Sequence, residues 1–336
     1  MSVRPVVWGV LGAARIATTR VVPGMKTSAL CDMRAFAARD LARAQAASAA
    51  MGMAKAYGSY EELLADPEIE AIYNPLPNHL HVPWTIRAME AGKHVLCEKP
   101  IALTAKEAEA LVDARARTGR LVAEAFMVRF HPQWLRAREI ARSGEIGELR
   151  SILTQFCYNN PDPANIRNMA DIGGGGLYDI GCYAVLTARF VFGGEPSRVV
   201  SMIDRDPATK VDRVTGGMAE FSGGRQLVFS VSTQTALNQR VQILGTKGRI
   251  ELPVPFNTGS VLPTRILVDD CRDLFGGGLR TETIDPCDQY GLQGEAFARA
   301  VRGLAPLEWP IEDAIANMRT IDALYRSAET GGWEKP

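Results

Sequence analysis

The chain has no CxxC pair, and none of its six cysteines, Cys31, Cys97, Cys157, Cys182, Cys271 and Cys287, has a close partner in sequence. That pattern fits reduced, mostly buried thiols and excludes a disulfide framework. Histidine is scarce as well. The four, His79, His81, His94 and His131, lack the helical i, i+4 spacing of a zinc site, so no metal is expected. An excess of charge of either sign is also missing: 38 Lys and Arg stand against 38 Asp and Glu, with no long single-sign run. Such a balance argues against a nucleic-acid or membrane-surface partner. No apolar run reaches the roughly 18 residues of a membrane span. The start "MSVRPVVWGVLG" enters a strand at once, so neither a span nor a leader is expected and the location should be cytoplasmic.

What the chain does have is length and apolar content. Its 336 residues, 46% hydrophobic, are enough for two packed domains. Through residue 125 short apolar runs ("VVWGVLG", "MRAFAA", "AIYNPL", "HVLCEK", "RLVAEAF") alternate with segments of helical periodicity, such as "HVPWTIRAMEAG" and "AKEAEALVDARARTG". The alternation predicts an α/β Rossmann domain, a doubly wound parallel sheet, over 1–125. Residues 126–336 read differently. After the helix "PQWLRAREIARSG" and a Gly-rich loop, strand-like pieces such as "RVVSMID", "QLVFSVST" and "RVQILGT" predict an α+β domain with an open, mostly antiparallel sheet for substrate binding and oligomerisation. The closing helix "PIEDAIANMRTIDALYRSAETGGW" is expected to pack back on the first domain.

"VVWGVLGAARIA" places Gly9, Gly12, Ala13, Ala14, Arg15 and Ile16 where the first strand turns into the first helix. There backbone can approach a pyrophosphate and helix N–H groups can hold it. The turn after the second strand carries Ala38 and Arg39 where an NAD-binding chain would place a carboxylate, which favours NADP, with NAD possible. Read blandly, Arg39 is a solvated residue at a helix start. In "GKHVLCEKPIALT" a buried strand ends abruptly in Glu98, Lys99 and Pro100. Open α/β sheets bind ligands at strand carboxyl ends, and an ammonium there would stabilise an alkoxide-like charge. The bland alternative is a surface ion pair between Lys99 and Glu98. In "GGGGLYDIGCYAV", Asp179 and Tyr183 stand at i, i+4 on one helix face.

Taken together, "GVLGAARIA", "YNPLPNHLHVPWTIRAMEAGKHVLCEKPIALT", "EAFMVRFHPQ" and "GGGGLYDIGCYAV" resemble the Gfo/Idh/MocA oxidoreductases in order and separation over nearly the whole chain. The tyrosine at 183, where many relatives carry histidine, points to the branch of the sugar and dihydrodiol enzymes. The resemblance implies that Lys99 stands beside the nicotinamide, with Glu98 adjacent, and that Pro75, Leu76, Asn78 and His81 lie in the loop beneath it. It implies substrate contacts from Arg129, His131, Asn165, Arg167, Asp179 and Tyr183, with Arg167 also near the cofactor, and a Lys99–Pro100 bond that is commonly cis in the family. Tyr183 is then the proton-transfer group, with Lys99 favouring its phenolate, and Asp179 an orienting carboxylate. Alternatively Tyr183 is packing with a satisfied hydroxyl, and His131 a cap.

The expected function is NADP-dependent hydride transfer at a hydroxyl or carbonyl carbon of a sugar or cyclic polyol, an aldose 1-dehydrogenase first. A trans-dihydrodiol dehydrogenase or a glucose-fructose-type oxidoreductase that retains its cofactor are alternatives within the class. A non-catalytic NADP sensor is the alternative outside it. The apolar alternation of the later strands predicts a homodimer or dimer of dimers.

Overall fold

The computed structural model describes residues 3–336. The chain divides into two compact units, residues 1–127 with 288–315, and residues 128–287 with 316–336. The stretch 288–315 thus counts with the nucleotide-type unit.

The first unit holds six parallel strands: β1 (Val6–Leu11), β2 (Cys31–Ala37), β3 (Lys55–Tyr57), β4 (Ala71–Asn74), β5 (His94–Glu98) and β6 (Val122–Ala125). Their order is β3-β2-β1-β4-β5-β6, so the winding reverses between β1 and β4, the position where open sheets of this kind bind ligands. β1, β4 and β6 are buried along their whole length, as strands covered on both faces must be. Helix boundaries follow local chemistry. Thr104 Oγ1 accepts from the Glu107 backbone N–H while Glu107 reaches back to Leu103 N, and Gly119 closes the helix Ala105–Thr118 at φ 65°. The Thr104 cap contributes about 1 kcal/mol. The helix Gln289–Val301 packs at very short range on the segment around Gly24: a Cβ at Gly291 would lie 2.7 Å from the Gly24 carbonyl oxygen. Phe297 of that helix meets the fully buried Trp8 at 5.5 Å between rings.

The second unit is built on eight strands: β7 (Leu149–Asn159), β8 (Pro196–Arg205), β9 (Asp212–Phe221), β10 (Arg225–Ser232), β11 (Gln234–Gly245), β12 (Arg249–Leu252), β13 (Thr264–Asp269) and β14 (Leu279–Ile284). The order is β14-β13-β12-β11-β7-β10-β9-β8, and only the β7–β10 pair is parallel. Alternation selects the faces. Leu227, Phe229 and Val231 of β10 are buried, whereas Val228 and Ser230 point to the open side. Register places Val200, Met218, Val228 and Leu153 side by side on that open face, an apolar stripe four strands wide. The helix Cys182–Phe192, buried at every position, covers the other face.

Candidate active site

The residues expected at the cofactor, Arg167 apart, lie in the first unit, most of them at strand carboxyl ends. Gly12 follows β1 with φ 81°, a conformation glycine adopts without strain, and its N–H donates to Ala37 O at 2.7 Å. A Cβ there would stand 3.0 Å from Leu76 Cδ2, so Leu76 forms the opposite wall of the turn. The chain then enters a helix through Ala13, Ala14 and Arg15, whose backbone lies at the first turn. Gly9 stands inside β1 rather than in the turn, and a Cβ would collide with Leu63 at 2.7 Å, so its small size serves strand-helix packing. Ile16 and Ala13 pack against the core. Pro23 lies just beyond the wide helical turn Ala17–Val21, consistent with a proline that cannot bond back along an α-helix.

After β2, Ala38 donates its N–H to Tyr57 O, Arg39 is exposed, and Asp40 caps the helix Leu41–Ala50 through Ala42 N. A second cation joins Arg39. Arg43 donates to Ala13 O at 3.2 Å, and both guanidinium charges oppose the burial that raises the phenol of Tyr60. Arg43 and Tyr60 escape a motif reading, although the i, i+4 spacing of the two arginines is the signal for the first.

The loop after β4 is closed by buried Asn74. Its Nδ2 donates to His81 O and Thr85 Oγ1, and its Oδ1 accepts from Leu76 N. His81 is buried with Nε2 facing Leu76 O at 2.6 Å and Nδ1 facing Pro100 O at 2.7 Å, so the ring ties this loop to the segment after Lys99. Burial pulls its pKa down to about 4. Pro75 is buried, and Asn78 opens the short turn Asn78–Leu80. At the end of β5 the Glu98 carboxylate accepts from buried Tyr73 at 2.6 Å and from Lys99 N at 3.3 Å. Burial first, and then Glu98, pushes both the Tyr73 and the Tyr290 phenols up. Lys99 is partly buried and precedes a cis bond to Pro100, while Glu124 fixes the following turn by accepting from Ile101 N.

The residues expected to contact substrate, Lys99 apart, lie in the second unit. Asp179 is clamped: Tyr158 donates to its Oδ2 at 2.5 Å, and Arg167 Nε stands 3.0 Å from its Oδ1. Asn165 accepts from Arg167 N and so caps the turn Ile166–Asn168. The helix begins with a wide turn, Leu177–Gly181, before the α-helix Cys182–Phe192. Tyr183 packs edge-on to Phe156 at 5.7 Å and tilted on Phe256 at 5.4 Å. Arg129 and His131 are buried, at 5% and 1% exposure. His131 Nδ1 accepts from Gln133 N at the helix start and Nε2 meets Cys287 Sγ at 3.4 Å, so its ring serves a cap. Tyr158, on β7 a few residues before Asn165 but outside any motif, is the residue the pattern does not reveal. Among the described residues no cluster of three or more His, Cys, Asp or Glu side chains is placed to hold a metal ion, and no helix is long and apolar enough to cross a membrane.

A glycine-turned β1, a helix start behind it, a strand-end lysine and a separate sheet unit define an NAD(P)-binding oxidoreductase. Residues 6–126 match the model of the "Oxidoreductase family, NAD-binding Rossmann fold", and residues 134–251 match the "GFO/IDH/MocA C-terminal domain". The chain is 49% identical to the uncharacterized oxidoreductase ORF334 of Rhizobium meliloti, covering 97% of this chain and 98% of that one. It is 40% identical to D-xylose 1-dehydrogenase (NADP(+)) 2 of Haloferax volcanii, covering 96% and 98%. Among solved structures, KijD10, a 3-ketoreductase from Actinomadura kijaniata in complex with NADP and TDP-benzene, superimposes with a TM-score of 0.90 at 28% identity, covering 96% and 98%. The chain belongs to the Gfo/Idh/MocA family of NAD(P)-dependent oxidoreductases.

Proposed function

We propose that the protein is an NADP-dependent sugar dehydrogenase that oxidises the anomeric hydroxyl of an aldose. The observation that carries this reading is the Tyr158–Asp179–Arg167 clamp on the helix bearing Tyr183, a fixed carboxylate beside a half-exposed guanidinium. Such a pair offers both an acceptor and donors to sugar hydroxyls. The NADP(+)-dependent xylose relative supports the same substrate class.

The Gly12 turn, at φ 81° and with no side chain between the backbone and an approaching phosphate, fits a dinucleotide. The backbone of Gly12, Ala13, Ala14 and Arg15 would hold the pyrophosphate, and Arg39 and Arg43 the 2′-phosphate, with Ala38 leaving room where a carboxylate would repel it. Pro75, Leu76, Asn78, His81, Glu98 and Lys99 would flank the nicotinamide, and Arg167 is a further candidate contact by the family resemblance. When bound, the cofactor supplies C4 as hydride acceptor. Tyr183 takes the hydroxyl proton, Lys99 lowers the cost of the phenolate and of the developing alkoxide, and Asp179 orients the sugar. Steady-state NADP⁺ reduction across a panel of aldoses, inositols and dihydrodiols tests the reading. Turnover highest with an aldose such as xylose is expected; turnover confined to dihydrodiols contradicts it.

The stripe of Val200, Met218, Val228 and Leu153 supports a homodimer, or a dimer of dimers, formed through the open sheet face. Sedimentation should show a dimer or larger at micromolar concentration, and Val228→Asp should shift it towards monomer. A monomeric parent contradicts the assignment.

A further inference from the structure

Within the four consecutive glycines 173–176, Gly175 and Gly176 pack directly against one residue, Asp212, while Gly174 lies against the Arg167 and Met169 carbonyl oxygens. Asp212, the first residue of β9, is 1% exposed. Three donors converge on its carboxylate: Leu177 N at 2.6 Å and Thr215 Oγ1 at 3.1 Å on Oδ2, and Tyr325 OH at 3.0 Å on Oδ1. The loop passes so close that a Cβ on Gly175, itself at φ 127°, would stand 2.0 Å from Oδ1, and one on Gly176 would lie 3.2 Å from the Asp212 carbonyl oxygen. Leu177 opens the wide turn Leu177–Gly181 that carries Asp179 and leads directly into Tyr183. Tyr325, which donates to the other carboxylate oxygen, packs at a tilt on Tyr178, the residue just before Asp179, with 5.1 Å between ring centres. Burial lifts the Tyr158 phenol, the charge of Asp179 lifts it further, and Asp212 adds to both, so the two carboxylates act on one hydroxyl.

A carboxylate buried this completely is costly unless its acceptor sites are filled, and here the filling groups are the start of the reactive helix, Thr215 of β9 and Tyr325 of the helix Ile311–Thr330. A helix N-terminus ordinarily leaves its first N–H groups without intrahelical partners. This one gives its first N–H to a side chain on a strand, which fixes where the helix begins relative to the sheet. Asp179 and Tyr183 inherit that position, because they lie within the first two turns.

We propose that Asp212 is a positioning residue for the reaction, anchoring the first turn of the helix that presents Asp179 and Tyr183. The proposal rests on the reading of Tyr183 as proton carrier, so Tyr183→Phe is run beside it. A loss of turnover in Tyr183→Phe with none in the Asp212 variants separates failure of the anchor from failure of that reading.

The test measures kcat, KM and NADP dissociation constant for Asp212→Ala and Asp212→Asn. Misplacement of a reacting group by an ångström costs up to about 100-fold. Asp212→Ala should therefore lower kcat by about tenfold or more in folded protein, with the NADP dissociation constant within about threefold of the parent. The amide of Asp212→Asn keeps an acceptor for Leu177 N and turns a donor towards the Tyr325 oxygen, so it should restore kcat to within about threefold. If Asp212→Ala does not fold, Gly175→Ala, whose Cβ displaces the same carboxylate, should show the same fall in kcat at unchanged NADP binding. Parental kcat in folded Asp212→Ala or in Gly175→Ala overturns the proposal. Equal losses in Asp212→Asn and Asp212→Ala overturn it as well, because charge rather than anchoring would then be at work.

Discussion

The candidate residues of the two units are assembled in different ways. On the nucleotide side each group sits at the end of a parallel strand, within a few residues of its neighbours in sequence: Gly12 to Arg15 after β1, Ala38 to Arg43 after β2, Asn74 to His81 after β4, and Glu98 to Pro100 after β5. On the substrate side the Asp179 carboxylate depends on Tyr158 from β7 and Arg167 from a loop, and the helix start depends on Asp212 from β9 and Tyr325 from the C-terminal helix. The first kind of site is local and repeats with the strand period. The second is a set of long-range side-chain bonds that no short pattern encodes. Nucleotide binding should therefore tolerate changes in the sheet unit, whereas chemistry should be sensitive to them.

The largest separation of the two halves is expected from Lys99→Met, which removes the cation without emptying the space. Loss of a group that stabilises developing oxyanion charge costs roughly 100-fold or more in kcat. The pH above which oxidation proceeds should also move upward, since under the proposed mechanism the phenolate loses a stabilising cation. Pre-steady-state hydride transfer monitored at several pH values reads both effects, and an unshifted profile removes Lys99 from the proton step.

A smaller effect, confined to the nucleotide half, is expected from Arg39→Ala and Arg43→Ala. Each should weaken NADP by about tenfold, the scale of a hydrogen bond to a charged group, and leave NAD within about threefold. Titration by fluorescence with both nucleotides measures this. Equal binding of NADP and NAD by the parent would remove the preference altogether.

The smallest effect touches both units alike. His94 Nδ1 accepts from Leu121 N and His131 Nδ1 from Gln133 N, so each ring must stay neutral to keep its bond. Burial pulls both pKa values down to about 4 from an ordinary 6.5, with Arg120 adding to the effect at His94. Between those values the unfolded chain binds protons that the folded chain does not. Stability from this source is thus full above pH 6.5 and is lost progressively as pH falls towards 4. Thermal unfolding followed from pH 7.5 to 4.5 should show Tm falling through that window. Replacing either histidine with Asn should flatten the slope, and an unchanged slope contradicts the assignment.

The same contrast governs what could be read from the chain. The doubly wound order, the antiparallel second sheet and the strand-end Lys99 are written in runs of apolar residues and in breakers beside them. Three elements are not. β3 is three half-buried residues long, β14 alternates polar side chains on an exposed edge, and the helix Gln289–Val301 hides its apolar stripe behind Gly291, Gly294 and two buried glutamines. Gly9 shows the limit within a motif: its glycine answers to Leu63 on a neighbouring helix, not to the turn it stands near. Asp212 and Tyr158 carry no local signature, because what defines them is the partner that folding brings to them.

The central claim, that a tyrosine on the sheet unit's helix carries the proton while the first unit binds the nucleotide, is tested most directly by Tyr183→Phe. The substitution deletes one oxygen from a side chain otherwise held by Phe156 and Phe256. In a single-turnover measurement with a good aldose, the rate of hydride transfer should fall by about 100-fold or more, with the NADP dissociation constant close to the parent's. A near-parental rate would show that Tyr183 is packing and that the proton leaves by another group.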